Sequence, residues 1–329
     1  MKNISILVYE DAILSAVSGA LEILSGTNRY LKDRGLPEAF EINLIGERLK
    51  NIQLLLPAQF ICHHTLSEVI QTNLIIVPAF YGNPDEVLKK NQPLIDWITV
   101  MRNNGVEVAS LCLGSYFLAE AGLLTGKRCT SHWRAMEDMQ VRYPDINVLS
   151  EAVVTDHDGI YTSGGAFLSL NLILYLVEKF CGRETAIQMS KTFSVDMDRG
   201  NQAHFAVFQG QRRHNDEEIL EIQSYIENNY MKSISVNDLA EHSHMSRRNF
   251  IRRFKKATKN TPLEYLQRVK VEAAKKALER GDGNISSLVY NVGYNDVKTF
   301  RMIFKRITGL TPLEYRNKYR TGVDDKMVK

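Results

Sequence analysis

The stretch FIRRFKKATKNTPLEY, residues 250–265, returns fifty positions later as FRMIFKRITGLTPLEY, residues 300–315. Both copies end in TPLEY, and each carries two phenylalanines four positions apart, which places the two rings on one face of a helix. A period of about fifty residues is the size of one small supersecondary unit. The sequence therefore predicts an internal structural repeat.

The shared TPLEY motif carries the signals of a helix start. Threonine is a favoured N-cap, and proline fits the first helical position, where its missing N–H costs nothing. Glutamate at the third position completes a capping box. We therefore expect one helix after Thr261 and another after Thr311. The first would continue through residues 266–280 and end at Gly281-Asp282-Gly283, as a long linker helix.

A second short helix is predicted before each phenylalanine-bearing helix. These segments are VNDLAEH (Val236–His242) and ISSLVYN (Ile285–Asn291), and a tight connection follows each of them. Gly293 in the second connection can supply a left-handed turn residue. Ser246 and Asp296 then stand at N-cap positions. A helix, a short turn and a capped helix with a basic outer face form the helix-turn-helix pattern.

Charge divides the chain unequally. The whole sequence carries a net charge of +3, but between Ser246 and Arg320 there are 19 Lys and Arg against 6 Asp and Glu. From Met1 to Asn215 the balance is mildly acidic, with 19 basic and 23 acidic residues. This asymmetry is typical of a polyanion-binding module joined to a second domain, although a solvated cationic face would produce the same charge.

Residues from about 216 to 320 resemble the DNA-binding domain of AraC-type transcriptional regulators, in which a long helix joins two helix-turn-helix units. The pattern VGYNDVKTFRMIFKRITGLTPLEYR, residues 292–316, carries the resemblance most clearly. The resemblance implies double-stranded DNA as a partner. It places base-reading positions on the first recognition helix at Arg248, Ile251 and Arg252, and on the second at Lys298 and Arg301.

The chemistry of these side chains suits base edges. Arginine can bond to O6 and N7 of guanine together, and isoleucine can meet a thymine methyl group. Phosphate contacts position a helix without reading sequence, and for any single arginine here they are an equal alternative. Met302 stands where family members often carry arginine, so the second helix is expected to read fewer bases. Phosphate contacts are predicted for Arg247, Arg253, Lys255 and Lys305.

The front of the chain alternates short apolar runs with helical patterns. Helical patterns include residues 16–24 and 94–103, and Asp158-Gly159 predicts a tight hairpin turn. The alternation of strands and helices predicts an α/β sandwich. The apolar runs typical of buried parallel strands are Ile4–Tyr9, Glu41–Gly46, Leu74–Phe80 and Val106–Cys112.

Cys112 lies in VASLCLGSYFLAEAGLL, residues 108–124, where a strand is expected to end and a helix to begin. At such an elbow the amides of the helix N-terminus favour the thiolate. Together with GKRCTSHW, residues 126–133, and YTSGG, this segment resembles the class I glutamine-amidotransferase-like superfamily of PfpI-type proteins over most of residues 1–195. The resemblance implies a flavodoxin-like sandwich, with Cys112 as the elbow cysteine and His132 as its histidine.

The same resemblance argues against catalysis. Enzymes of the superfamily carry an acid early in the first helix, and that position falls at Ala16, which neither shares nor takes a proton. The oxyanion-hole glycine corresponds to Ala79. The chain is therefore predicted not to be an enzyme. A cysteine-dependent hydrolase or glyoxalase-like enzyme, or a thiol sensor, stays the alternative. Candidate residues of an effector pocket are Cys112, Leu113, Ser115, His132, Ala79 and Phe80.

The remaining composition excludes other classes. The four cysteines include no CxxC pair, so neither a disulfide framework nor a metal or cofactor site is expected. The longest apolar stretch, residues 168–177, is far shorter than the roughly 20 residues that a membrane span needs. The N-terminal residues lack the features of a signal peptide. We expect a cytoplasmic protein.

The combination resembles GlxA-type AraC-family transcriptional regulators. The predicted boundaries are an amidotransferase-like domain at 1–195, a linker at 196–215 and a DNA-binding domain at 216–329, with helix-turn-helix units near 236–257 and 285–307. The resemblance implies that the front domain senses an unknown small-molecule effector and forms a homodimer. The two recognition helices of each chain would enter successive major grooves, about one turn (~34 Å) apart.

Overall fold

The computed structural model describes residues 1–48, 51–69, 71–197, 201–212, 214–281 and 284–320. These residues form two compact units, Met1–Gln202 and Ala203–Lys329. Residues of the predicted linker divide between the two units, because Gln202 closes the first and Ala203 begins the second.

A mixed sheet of seven strands forms the centre of the first unit. Its order is β10, β11, β7, β6, β1, β2 and β5, and the pairs are parallel except β10 with β11. Two further pairs, β3 with β4 and β8 with β9, lie outside it. The strands are β1 (Lys2–Val8), β2 (Phe40–Gly46), β3 (Asn51–Gln53), β4 (Gln59–Ile61), β5 (His64–Thr65), β6 (Leu74–Val77), β7 (Glu107–Ser110), β8 (Arg128–Cys129), β9 (Asn147–Val148), β10 (Val154–His157) and β11 (Ile160–Ser163).

Helices of the first unit pack in two groups, α1 with α6 and α7, and α2 with α3 and α4. Together with the sheet they enclose one hydrophobic core. The helices are α1 (Leu14–Asp33), α2 (Pro84–Lys90), α3 (Gln92–Asn103), α4 (Ser115–Glu120), α5 (Met136–Arg142), α6 (Leu170–Cys181) and α7 (Arg183–Phe193). Short 3-10 helices occur at Leu66–Glu68, Cys112–Gly114, Trp133–Ala135 and Ala166–Ser169.

The predicted α/β flavodoxin-like sandwich is confirmed. The four apolar runs form β1, β2, β6 and β7, which are all interior strands of the sheet and contribute residues to the hydrophobic core. Strands β6 and β7 end two or three residues earlier than predicted, at Val77 and Ser110. The predicted hairpin joins β10 to β11, and Asp158 and Gly159 both adopt the positive φ of a type I′ turn.

The second unit is built from helices. They are α8 (Glu217–Asn229), α9 (Val236–His242), α10 (Arg247–Thr258), α11 (Pro262–Arg280), α12 (Ile285–Asn291), α13 (Val297–Thr308) and α14 (Pro312–Tyr319), with a 3-10 helix at Ala203–Phe205. No helix among the residues described is both long and apolar enough to cross a bilayer.

The predicted repeat is present as two similar cores. In each, two phenylalanines and the tyrosine of TPLEY pack against one another, with neighbouring ring centroids 5.4–5.6 Å apart. Each tyrosine hydroxyl donates to a glutamate of another helix, Glu227 in the first repeat and Glu279 in the second. The three rings are Phe250, Phe254 and Tyr265 in one core and Phe300, Phe304 and Tyr315 in the other.

The TPLEY motifs begin helices as predicted. The backbone N–H of Thr261 donates to Glu264 at 2.8 Å and that of Thr311 to Glu314 at 2.7 Å, which completes both capping boxes. Helix α11 ends at Gly281 in the left-handed conformation. Because α11 contributes buried residues to both cores, it links the two repeats. Asp282 and Gly283 lie outside the residues described.

The two turns differ by one residue. Gly293 takes the left-handed position between α12 and α13, and a Cβ there would lie 2.6 Å from the Met231 carbonyl oxygen. Only glycine fits this approach. In the first repeat His244 takes the corresponding left-handed position, with a φ of 53°. The N-cap follows two residues after His244 but three residues after Gly293.

Candidate nucleic-acid interface

Helix α10 presents a cationic surface because its apolar residues are fixed inside. Phe250 and Phe254 are fully buried, and the Ser246 hydroxyl accepts a hydrogen bond from the Asn249 N–H at 3.4 Å. The Arg252 guanidinium donates to the side chain of Asn249 at 2.8 Å and stays exposed. The side chains that line one concave surface here are Arg247, Arg248, Ile251, Arg252, Lys255 and Lys256.

Arg253 points elsewhere. Its Nε donates to the Asp216 carboxylate at 2.7 Å, and its terminal nitrogen contacts Glu218. These bonds tie α10 to the start of α8, with both carboxylates on residues far away in sequence. Two acids thus already engage the guanidinium that the sequence assigns to a phosphate.

Helix α13 repeats this arrangement. The Asp296 carboxylate accepts hydrogen bonds from the backbone N–H groups of Thr299 at 2.6 Å and Lys298 at 3.2 Å. The Thr299 side chain, together with these backbone N–H groups, holds the pKa of Asp296 below its usual value, so the cap is ionised at neutral pH. Phe300 and Phe304 are buried, whereas the exposed residues of the helix include Lys298, Arg301, Met302, Lys305 and Arg306.

Neither α10 nor α13 contains an acidic residue. Each helix therefore offers an uninterrupted positive face, on which the base-reading candidates stand beside the phosphate candidates. Arg306, which the sequence did not single out, donates to Gln267 of α11 at 2.6 Å. Met302 has 67 % of its surface exposed and adds no charge. The first helix consequently carries more cations than the second.

The cysteine elbow of the first unit is present and strained. Cys112 adopts a φ of 55°, two residues after the end of β7. Gly114 packs so closely that a Cβ would lie 2.4 Å from the Val77 carbonyl oxygen, so glycine is required there. The Ser131 hydroxyl donates to the Cys112 carbonyl at 3.1 Å.

The amides near Cys112 favour its thiolate as expected, but burial of the sulfur outweighs them. Burial raises the pKa of Cys112 to about 11, although the backbone N–H groups of Ala166 and Leu113 near the sulfur act in the opposite direction. Desolvation penalises the charged form more than two amide dipoles stabilise it. At neutral pH the side chain is a protonated thiol.

His132 lies close to the same segment. A Cβ added to Gly165 would lie 2.2 Å from Cδ2 of His132, and Gly165 precedes the residue whose amide faces Cys112. His132 Nδ1 accepts a hydrogen bond from the Arg134 N–H at 3.1 Å. Burial, and then the charge of Arg134, lower the pKa of His132, so its imidazole is neutral at pH 7.

The other predicted pocket residues differ in exposure. The hydroxyl of Ser115, which is fully buried, donates to Ser131 at 2.8 Å. Ala79 and Phe80 belong to the hydrophobic core. Leu113 and His132 are half-buried and so are the members of the set that a ligand can reach directly. Ala16 is buried.

Gln202 is a residue of this region that sequence reasoning missed. Its side chain is fully buried, and its amide nitrogen lies 3.0 Å from Thr130 Oγ1, 3.1 Å from the Ser131 carbonyl and 2.9 Å from the Ala152 carbonyl. Its amide oxygen accepts from the Gly165 N–H at 3.3 Å. Gly165 therefore contacts both His132 and Gln202. The sequence around Gln202 has no periodic pattern that would have placed it inside.

No group of three or more His, Cys, Asp or Glu side chains in the described part of the chain is arranged to hold a metal ion.

Two family models match the chain. Residues 14–179 match the DJ-1/PfpI family, and residues 239–318 match a helix-turn-helix domain. The first match covers half of the sequence, and the chain belongs to the DJ-1/PfpI family. It combines this family's fold with an AraC-type helix-turn-helix unit, which confirms both resemblances.

Known regulators are similar over much of the chain. The HTH-type transcriptional regulator CdhR of Pseudomonas aeruginosa is 27% identical over 68% of this chain and 66% of its own length. GbdR of the same species is 25% identical over 68% of this chain and 60% of its own length. The match thus spans less than two thirds of either regulator. An AraC family transcriptional regulator from Pseudomonas putida superposes with a TM-score of 0.52 at 16% identity, over 59% of this chain and 100% of that one, a likeness of fold.

Proposed function

We propose that the protein is a sequence-specific DNA-binding transcriptional regulator whose first unit binds a small-molecule effector. The observation that carries the proposal is the pair of exposed, acid-free cationic faces on α10 and α13. Each is backed by its own aromatic core, and the long helix α11 joins the two. Two capped helices with basic outer faces suit a pair of major grooves. The similarity to HTH-type transcriptional regulators supports the same reading.

The side chains divide into two roles. Arg248, Ile251 and Arg252 on α10 and Lys298 and Arg301 on α13 read base edges. Cations at the ends of the same faces meet phosphates, which sets the register of each helix on the duplex. These are Arg247 and Lys255 on α10 and Lys305 on α13.

A gel-shift or fluorescence-anisotropy assay of the full chain tests the proposal. The probes are duplexes from upstream of its own gene and neighbouring genes, together with duplexes that the protein selects from a random-sequence library. We expect one duplex class to bind about 10³-fold or more tightly than scrambled DNA at the same salt concentration. Equal binding to every duplex would contradict sequence-specific regulation and leave only a general affinity for polyanions.

Effector binding is proposed at the half-buried side chains of Leu113 and His132. Gly165 packs against the His132 ring, and its N–H donates to the Gln202 amide oxygen. Gln202 is the last residue of the first unit. A ligand that displaces His132 would therefore act on the residue through which the chain continues into the helices. Candidate metabolites added to the anisotropy assay should change the affinity for DNA, and a His132→Ala variant should lose that response.

We further propose that the first unit is catalytically silent and mediates a homodimer. Ala16 supplies no carboxylate, and the raised pKa of Cys112 keeps the sulfur protonated. The left-handed elbow at Cys112 is the one observation that favours the alternative, a cysteine-dependent enzyme or thiol sensor. Turnover of methylglyoxal or simple amides that disappears in Cys112→Ser would favour that alternative. Analytical ultracentrifugation of the full chain tests the dimer.

A further inference from the structure

Residues 203–212, which we call the strap, run along the helices of the second unit. At the start of the strap the Lys318 ammonium lies 5.5 Å from the centre of the Phe205 ring, and the His204 ring lies 6.3 Å from that of Tyr319. Both partners belong to α14, and Tyr319 packs against the core of the second repeat. The strap therefore begins on the second repeat.

The middle of the strap is held by two buried charges of α11. Lys275 Nζ donates to the Ala206 carbonyl at 2.5 Å, and the Phe208 N–H donates to the Glu272 carboxylate at 3.2 Å. Lys275 and Glu272 also pair with each other at 3.0 Å. Their side chains are only 4 % and 12 % exposed, so removing the strap would deprive both charges of a partner in a place where water is scarce.

The far end of the strap packs on the first repeat. The Phe208 ring meets the Tyr265 ring edge to face at 5.1 Å. Gln223 of α8 donates to the Gln211 carbonyl at 2.9 Å. Arg212 donates to Glu227 of the same helix at 2.7 Å. A chain of ten residues thus contacts one repeat, then the helix that links the repeats, and then the other repeat.

We propose that Lys275 and Glu272 are positioning residues for DNA recognition. They fasten the strap across both repeats and thereby fix the separation of the two recognition helices, which sets the number of base pairs between the two subsites. The inference rests on the proposed function. Besides α11, the repeats also touch where the Met231 carbonyl lies beside Gly293, and the strap adds a further tie. Lys275 and Glu272 bond to the backbone of two particular strap residues, Ala206 and Phe208. These bonds fix the position of the strap along α11, which apolar packing alone would not fix.

The test measures how binding depends on subsite spacing. The probe is the tightest duplex selected from a random library by the wild-type chain, remade with one or two base pairs inserted or removed between its two subsites. Each inserted pair moves the second subsite by about 3.4 Å and about a tenth of a turn. We expect the wild type to lose about tenfold or more in affinity per change. The Lys275→Met variant should lose about threefold or less in affinity per change of spacing, and it should bind a duplex with a single subsite as tightly as the wild type does.

Lys276→Met is the matched control, because Lys276 is exposed on the same helix, and it should keep the wild-type spacing preference. Phe208→Leu loosens the strap without stranding a charge, so it replaces Lys275→Met if that variant lacks a cooperative thermal transition. Faster hydrogen exchange at the residue 208 amide reports release of the strap. Release with an unchanged spacing preference would overturn the inference. If the wild type selects no duplex at all, the proposed function fails instead.

Discussion

Replacing single cations on the recognition helices should separate base reading from phosphate binding. Eight exposed cations on the two faces have no carboxylate partner within either helix. Four of them, Arg248, Arg252, Lys298 and Arg301, are assigned to base edges, which leaves four for phosphates. At about 0.9 counterions released per neutralised phosphate, four contacts give a slope of log affinity against log salt of about −4. Affinity should then fall about 10²-fold between about 50 and about 200 mM salt. The eight are Arg247, Arg248, Arg252, Lys255, Lys256, Lys298, Arg301 and Lys305.

Two variants of α10 should respond differently in that assay. Lys255→Ala removes a phosphate contact, so the slope should become shallower by about 0.9 on the selected duplex and on a scrambled one alike. Arg252→Ala removes a base reader and should cost about 1–3 kcal/mol on the selected duplex, which is about 5- to 150-fold, with little effect on the scrambled duplex. Because Arg252 bonds only to the neighbouring Asn249 in the structure, thermal stability should hardly change.

The assay is fluorescence anisotropy over a salt series with both duplexes. Lys276→Ala serves as the control, since Lys276 is exposed on α11 and lies outside both recognition helices. The contrary result would be that Arg252→Ala weakens binding to both duplexes equally and makes both salt slopes shallower by about 0.9. In that case Arg252 contacts a phosphate, and its assignment as a base reader is refuted.

Three further predictions concern stability and thiol chemistry. Lys259→Gly should stabilise the chain by about 1 kcal/mol in thermal unfolding. Lys259 ends α10 at a φ of 56°, where the second repeat has Gly309, and the backbone strain relieved by glycine exceeds the entropy it adds to the unfolded chain. Unchanged stability would contradict this. Gln202→Ala should lower the free energy of unfolding in denaturant by about 2–4 kcal/mol, because it leaves buried polar groups without a partner. A loss below about 0.5 kcal/mol would contradict this role of Gln202. Burial raises the pKa of all four cysteines, to about 11 for Cys62, Cys112 and Cys181 and about 12 for Cys129, so Ellman's reagent should react slowly at pH 8 until the chain unfolds. The thiols of the folded chain keep their protons where those of the unfolded chain ionise, near pH 9, so the free energy of unfolding should fall as pH rises from about 9 to about 11. A thiol of the folded chain that reacts quickly with Ellman's reagent would contradict the burial argument.

Local signals in the sequence predicted much of the second unit. The capping boxes at Thr261 and Thr311 involve residues three positions apart, and the paired phenylalanines follow the helical period. Alternation of apolar runs likewise predicted the sheet of the first unit. The hairpin at Asp158-Gly159 needed only two adjacent residues with positive φ. All of these features depend on neighbours in sequence.

Contacts between distant residues escaped prediction for the same reason. The sequence assigns Arg253 to a phosphate, yet Asp216 and Glu218 reach its guanidinium across the fold. No local pattern marks Lys275 as internal, yet it is buried and donates to a carbonyl of the strap. The pKa of Cys112 depends on how much protein covers the sulfur, a quantity that the elbow motif does not contain.

The buried amide of Gln202 bears on how the protein can be divided for experiments. A fragment that ends at residue 195 would lack this side chain, and the Gly165 N–H and the Ser131 carbonyl would each lose a partner inside the sandwich. An unpaired group of this kind costs about 1–3 kcal/mol. Expression trials and chimeras of the amino-terminal half should therefore end after position 202, the last residue of the first compact unit.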